Sequence, residues 1–325
     1  MKIVSFFAGA GGLDQGFEDA GFNIVWANDF NEKVQTTYER NHPNTTFILK
    51  SIEDISADEV PVCDGIIGGP PCQSWSVAGS HGGDNDPRGK LFWEYFRIIS
   101  SKKPKFFLAE NVKGILSKRH QKSFKHIKKL FRKAGYNIKV KLLQASDYGV
   151  AQDRERVFIL GINKELKPTS SLFFPRARPN EHQTLEDVIG HLKYTKPIGT
   201  KKVAMCKDNH EYLEGSFSPH FKSRNRVRSW KQCSFTILAV GRHMVLHPQA
   251  PKMKKVEKDV CKFQEGKEHL YRRFSVKEAA LIQSFPSDYR FYYDNINDGY
   301  KMVGNAVPPK LAFYIALQIK KKLGL

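Results

Sequence analysis

Cysteine is scarce in this chain. Among 325 residues there are five, Cys63, Cys72, Cys206, Cys233 and Cys261, and no two form a C-x-x-C pair. An odd number at such spacings excludes a disulfide framework and a zinc ribbon, and it suits a reducing cytosol. The eleven histidines form neither an H-E-x-x-H helix nor a cluster with cysteine, so no metal is expected. Long apolar runs are missing too. Mean hydropathy is -0.48, and nothing approaches the roughly 20 apolar residues that span a bilayer. The opening segment Met1–Phe7 lacks the length and cleavage pattern of a secretory signal and reads as a first strand. Acidic residues are outnumbered, 33 against 53 Lys and Arg, for a net charge of +20. That field favours a polyanion. Without a basic amphipathic helix bearing a tryptophan-rich apolar face, nucleic acid is the better partner than a membrane. On charge alone, a basic enzyme with a small acidic substrate is the alternative. There is no internal repeat and no low-complexity tail.

What is present is enough for one large domain and a smaller one: 37.2 kDa, with 40% hydrophobic residues. The centre of the pattern is Gly69-Pro70-Pro71-Cys72-Gln73-Ser74-Trp75-Ser76, which follows the buried run Gly65-Ile66-Ile67-Gly68. Two prolines fix the backbone directly before a thiol, at the carboxyl end of a strand. Ligands of open α/β sheets bind at those ends. Cys72 is therefore either a nucleophile, active as its thiolate, or a small buried hydrophobe.

Ile3 to Phe7 reads as a strand, and Ala8-Gly9-Ala10-Gly11-Gly12-Leu13 as a glycine turn opening a helix to about Ala20. Asp14 occupies the third glycine position of a dinucleotide fingerprint, so a pyrophosphate cradle is poorly supported. A nucleoside cofactor without pyrophosphate still fits. A second strand, Phe22 to Ala27, ends at Asn28-Asp29-Phe30. Asp29 is placed to accept ribose hydroxyls or to cap the helix from Asn31, and Phe30 to stack on a base. After a third strand, Thr46 to Leu49, and the Cys72 strand, residues Ser76 to Arg88 read as a mobile lid or a plain surface loop. The strand Phe106 to Val112 carries Glu110 at its carboxyl edge, as a helix cap or a second catalytic group. Arg154 and Arg156, before the strand Val157 to Ile162, are expected to share one strand face and fork onto phosphate or a base edge.

Beyond about Lys164 the strand–helix alternation stops, and residues 175–270 read as a small domain of loops and short strands. As an extended segment, Ser223–Trp230 points Arg224, Arg226 and Arg228 the same way; Arg242 follows. Such arginines read guanines in a major groove or contact phosphates without regard to sequence. Ser275 and Glu278 form a capping box for a helix from Val276, and the last helix, Lys310 to Leu323, is expected to pack back on the first domain.

Taken together, Phe7–Gly12, Asn28-Asp29, Pro70-Pro71-Cys72-Gln73, Glu110-Asn111-Val112, Gln152-x-Arg154-x-Arg156, the Arg273-to-Pro286 helix and Gly304–Pro308 resemble the DNA (cytosine-5)-methyltransferases of bacterial restriction–modification systems, in the family's order and over nearly the full length. Gly65–Pro71, Arg224–Arg228, Leu246–Pro251 and Glu265–Arg273 are similar to the members that methylate GGCC. The resemblance implies a doubly wound, Rossmann-like methyltransferase domain over residues 1–174. It also implies a target recognition domain over 175–270, and a hinge with C-terminal helices over 271–325.

The resemblance also implies roles. Cys72 adds to carbon 6 of a flipped-out cytosine; Glu110 stabilises nitrogen 3, its pKa raised by burial; Arg156, with Arg154, fixes the base carbonyl and supports the carboxylate. S-adenosyl-L-methionine lies along Phe7, Ala8, Gly9, Gly11, Gly12 and Leu13, with Asn28, Asp29, Phe30, Pro71 and Asn305 around it. Ser76, Arg88, Arg224, Arg226, Arg228 and Arg242 face double-stranded DNA. The adenine contact falls on Ser51-Ile52, or on Glu53 or Asp54. A cognate restriction endonuclease, a monomeric state and a cytoplasmic, nucleoid-associated location complete the expectation. An RNA-directed enzyme on the same domain and a catalytically silent DNA-binding protein are the two alternatives.

Overall fold

A computed structural model describes residues 1–71, 87–167, 169–200 and 208–324. Cys72, Ser76 and the expected lid up to Asp86 lie outside the described residues, as does the side chain of Arg88.

The first half alternates strand and helix as its sequence pattern requires. In order come β1 (Lys2–Phe6), α1 (Gly12–Asp19), β2 (Asn23–Asp29), α2 (Glu32–Asn41), β3 (Thr46–Leu49), β4 (Gly65–Gly68), α3 (Pro87–Lys102), β5 (Phe106–Val112), α4 (Gln121–Lys133), β6 (Tyr136–Gln144) and β7 (Glu155–Asn163). They form one seven-stranded sheet in the order β3-β2-β1-β4-β5-β7-β6. The β1–β5 strands are parallel, and β7 runs antiparallel to both β5 and β6. Strand order reverses between β1 and β4. The carboxyl ends of those strands therefore frame the crevice where a doubly wound sheet takes its ligands.

Two-residue periodicity divides the core. Val4 and Phe6 of β1 and Phe107 of β5 belong to an apolar cluster with Tyr95, Ile98 and Ile99 of α3 and Phe124, Ile127 and Phe131 of α4. The intervening Ser5 meets α1 instead, donating to Asp14. Phe107 stacks on Phe131 with ring centroids 4.2 Å apart. Burying each such ring is worth about 2–3 kcal/mol. Tyr95 is wholly buried, and its hydroxyl donates to Leu108 O at 2.9 Å, which satisfies the polar atom inside the core.

The rest comprises α5 (Leu185–Ile189), β8 (Ile198–Thr200), β9 (Glu211–Leu213), β10 (Lys254–Glu257), β11 (Val260–Lys262), α6 (Val276–Ile282), α7 (Ile296–Asn305) and α8 (Pro309–Leu323). Contacts cluster into two compact units. One holds Met1–Gln144, Glu155–Arg176 and Ala312–Leu325; the other holds Ala145–Arg154 and Ala177–Leu311. One of the breaks between the units falls after Arg176. Residues 271–325 do not travel together: α6 and α7 cluster with the second unit, and most of α8 with the first. Short strands and loops make up the second unit, around Phe221, Val227, Leu246, Met253 and Tyr271. Its α6 has the expected capping box: Ser275 Oγ accepts from Glu278 N, and Glu278 accepts from Ser275 N. Glu278 is fully buried, and Arg272 grips both its oxygens at 2.7 Å, so the charge is paired rather than stranded. No helix among the described residues is long and apolar enough to cross a membrane.

Gly161 of β7 leaves room for the Phe107 ring, and a methyl group there would collide with it. Gly161→Ala is expected to cost about 1–3 kcal/mol through overpacking, read as a lowered urea midpoint for the first unit.

Candidate active site

The β1–α1 turn is tightly wound. Phe7 takes φ 54°, a left-handed conformation that costs a non-glycine residue about 1–3 kcal/mol. Gly9 (φ 56°) and Gly11 (φ 78°) continue the turn, where a side chain would be strained. Backbone bonds fasten it: Ala8 N donates to Asn28 O at 3.0 Å and Gly11 N to Ala8 O at 2.9 Å. Gly12 opens α1, and Leu13 is buried.

Asp29, at the end of β2, ties this turn to the next. Its Oδ2 accepts from Gly9 N at 2.9 Å and its Oδ1 from Asn31 N at 2.9 Å. Asn31, not Asp29, caps α2. Phe30 beside it is 66% exposed, an uncommon state for so large a ring. Among the described residues, no atom lies within 4 Å of where a Gly9 Cβ would stand, so none of them fills the space beside the turn. A glycine turn with free space, an exposed ring and a carboxylate at a strand end fits the adenosyl part of S-adenosylmethionine. Asn28 is buried, and its amide nitrogen donates to Ile48 O and Lys50 O, fastening β2 to β3. Its side-chain nitrogen is thus spent on the fold rather than on a cofactor. In the nearby stretch, Ser51 caps a 3-10 turn over Ile52–Asp54, and Ile52 is buried in the core.

Across the crevice, β4 delivers Gly69, Pro70 and Pro71. Asn111 of β5 is buried, and its Nδ2 donates to Pro70 O at 2.8 Å. Its neighbour Glu110 points the other way, as strand periodicity demands. A Cβ on Gly69 would stand 3.4 Å from Glu110 Oε2. Arg156 Nε meets Glu110 Oε1 at 2.9 Å, with both side chains largely shielded. Antiparallel pairing sets Arg156 opposite Val112 and Phe158 opposite Glu110, so the two charges meet diagonally across the β5–β7 ladder.

Three expectations about arginines are corrected. Arg154 does not share the Arg156 face. The strand begins at Glu155, and Arg154 is 1% exposed in the second unit. There its guanidinium donates to Ile237 O, Gly304 O and Ala306 O at 2.8–3.1 Å. Carbonyls left open around Gly304 need donors more than DNA needs this arginine. Arg226 is buried: its Nε donates to Phe221 O and its guanidinium lies over the Phe221 ring. Arg228 is half-buried, ion-paired to Asp153 at 2.9 Å and stacked over Phe235. Arg224 and Arg242 remain exposed, and so does Asn305, the last residue of α7.

Beneath the glycine turn lies a group that the sequence pattern registered only as a break in the fingerprint. Asp14 is fully buried and accepts from Ser5 Oγ at 2.7 Å and Tyr38 Oη at 2.5 Å. His42 sits nearby, its ring 4.5 Å from that of Tyr38 and its Nδ1 2.8 Å from Glu18. Burial pushes the Asp14 carboxyl up to about 6, against the opposing pull of His42 and the two hydroxyls. A raised acid binds its proton more tightly folded than unfolded. Its contribution to stability is therefore complete below the unfolded value of 3.8 and lost as pH rises through about 6. Urea midpoints measured from pH 4 to pH 8 should fall across that window in the wild type and flatten in Asp14→Asn.

Comparison with known proteins agrees with this geometry. The model for C-5 cytosine-specific DNA methylases matches residues 1–321. The chain is 55% identical over 328 residues to the type II methyltransferase M.FnuDI of Fusobacterium nucleatum, covering 99% of this chain and 95% of that one. It is 49% identical to M.NgoPII of Neisseria gonorrhoeae, covering 99% and 96%. A solved structure of a prophage-encoded Escherichia coli protein has the same fold, with a TM-score of 0.74, 22% identity and 100% of both chains covered. A family match over nearly every residue, on a sheet whose strand ends carry the glycine turn and the Glu110–Arg156 pair, places the chain among the C-5 cytosine-specific DNA methylases.

Proposed function

We propose that this enzyme methylates one of the two cytosines of a GGCC site and that Cys72, Glu110 and Arg156 carry the chemistry. Its class is established: it transfers methyl groups to carbon 5 of cytosine in DNA, with S-adenosylmethionine as donor. Like its curated relatives, it is the modification enzyme of a type II restriction–modification system. The observation that carries the mechanism is the Glu110–Arg156 ion pair directly behind the Gly69-Pro70-Pro71 backbone that leads to Cys72.

Carbon 5 of cytosine is a weak nucleophile. The Cys72 thiolate adds to carbon 6, and the ring becomes an enamine. Negative charge then builds at nitrogen 3. Glu110, bringing or sharing a proton, holds nitrogen 3 and the exocyclic amine, while Arg156 fixes the base carbonyl and keeps the carboxylate aligned. Bound S-adenosylmethionine supplies a methyl group on a sulfonium, ready for attack by carbon 5. The turn from Phe7 to Leu13, Asp29 and Phe30 hold that cofactor, and the buried Asn111 fixes the height of the prolines before the thiol. Loss of the carbon 5 proton to solvent then releases Cys72. A stacked base cannot be reached in this way, so the cytosine is flipped out at a cost of a few kcal/mol.

Of the four arginines singled out in the second unit, Arg224 and Arg242 are the readers of guanine, because Arg226 and Arg228 are engaged within their own unit. GGCC rests on likeness in Gly65–Pro71, Arg224–Arg228, Leu246–Pro251 and Glu265–Arg273. The enzyme acts as a monomer in the cytoplasm, on nucleoid DNA, opposite an endonuclease of the same specificity.

Labelled methyl transfer tests both parts. A duplex containing GGCC should be labelled, the same duplex with that site scrambled should not, and neither should a tRNA pool. Label in both duplexes would discard the target, and label in tRNA alone would move the substrate to RNA. Cys72→Ser should abolish transfer. Arg224→Ala or Arg242→Ala should narrow the preference for GGCC by about 1–3 kcal/mol, whereas Arg226→Ala should act mainly on stability.

A further inference from the structure

The first unit carries a cation-lined recess at the end of the sheet away from the strand ends of the candidate active site. It measures about 410 Å³ and is lined by Arg132, Lys139, Lys164 and Lys322 together with Asn137, Ile138, Ile162 and Phe173. Ile162 is six residues along β7 from Arg156, roughly 20 Å at about 3.3 Å per residue, so this recess is separate from the Glu110 site.

Its charge is not balanced. Among the described residues, four cationic side chains line it and no carboxylate does. Lys322 is 2% exposed. Its Nζ donates to Ser170 O at 2.6 Å and stands 4.0 Å from the centre of the Phe173 ring, and no described carboxylate pairs with it. Burial lowers the pKa of its ammonium. A buried cation is costly without a counter-charge. The carboxyl ends of α4 and α8 supply part of one: Lys164 Nζ donates to Arg132 O at 2.8 Å, and Lys322 lies in the last turn of α8. Each helix end is equivalent to roughly half a negative charge, about one unit against four. The helix ends therefore offset only part of the positive charge, and the buried Lys322 is the cation that solvent compensates least.

We propose that this recess is a phosphate-binding site that takes a multiply charged anion of pyrophosphate type, either as a free polyphosphate or as adjoining phosphates of a nucleic-acid backbone. The exposed Arg132, Lys139 and Lys164 give such a ligand three donors at the mouth, and Lys322 gives a fixed charge at the base. The ammonium groups of Lys139 and Lys322 stand 5.9 and 4.0 Å from the centre of the Phe173 ring, so one aromatic face gathers two of the cations.

Calorimetric titration of the whole protein with inorganic pyrophosphate at physiological salt tests this. One equivalent should bind. Arg132→Gln with Lys139→Gln, both exposed and harmless to the core, should weaken it at least about tenfold, and Lys322→Met should do the same. The exposed double variant should keep the wild-type urea midpoint, which separates lost binding from lost folding. Equal binding by wild type and variants would overturn the site, because it would reduce the effect to diffuse attraction by a +20 chain. So would no binding by a wild type active in methyl transfer. A short duplex lacking the methylation target distinguishes the sources. Displacement of pyrophosphate that depends on Arg132 and Lys139 assigns the site to backbone phosphates; retention assigns it to a free anion.

Discussion

The ion pair between Glu110 and Arg156 depends on β7 running against the direction of β5, and the active end of the sheet depends on that pair. A carboxylate so shielded would be expensive alone; the guanidinium, itself donating to Glu155 O, makes it tolerable and fixes its orientation. Because adjacent strand residues face opposite ways, the same short segment does two jobs. Glu110 looks toward Gly69, and Asn111 reaches to Pro70. One strand end thus aligns the carboxylate proposed to meet the base and the backbone that leads to Cys72, the proposed nucleophile.

The cofactor side follows another logic. There the chain accepts a strained Phe7 and a buried Asp14 in order to keep a glycine turn open beside Asp29 and Phe30. Ser5 and Tyr38 hold the Asp14 carboxyl, so the underside of the turn is anchored by side chains of β1 and α2 rather than by its own backbone alone. Phe7 is one such departure from local ideality, and it sits at the candidate cofactor turn, where strain is tolerated when the surrounding bonds fix it.

Much of this was legible from residue order. Apolar runs and glycine turns placed β1 to β5 within a residue or two, and the Ser275–Glu278 box marked the start of α6 as it stands. Cys72 was singled out by its prolines, although it lies outside the described residues. What escaped was long-range. Spacing alone put Arg154 beside Arg156, but whether an arginine faces solvent or open carbonyls depends on chain 83–152 positions away. Arg226 looked like a reader of bases until Phe221 claimed its guanidinium. Four cations drawn from α4, β6, the segment after β7 and α8 share no sequence motif, so their recess is visible only in three dimensions.

The pair at the centre can be tested as a pair. A double-mutant cycle on kcat/KM would combine Glu110→Gln and Arg156→Gln under single-turnover conditions. If the two side chains act as one unit, the double variant should lose little more than the worse single variant, with a coupling of about 1–3 kcal/mol. Fully additive losses would mean that Glu110 and Arg156 serve the reaction independently and that their contact is only structural.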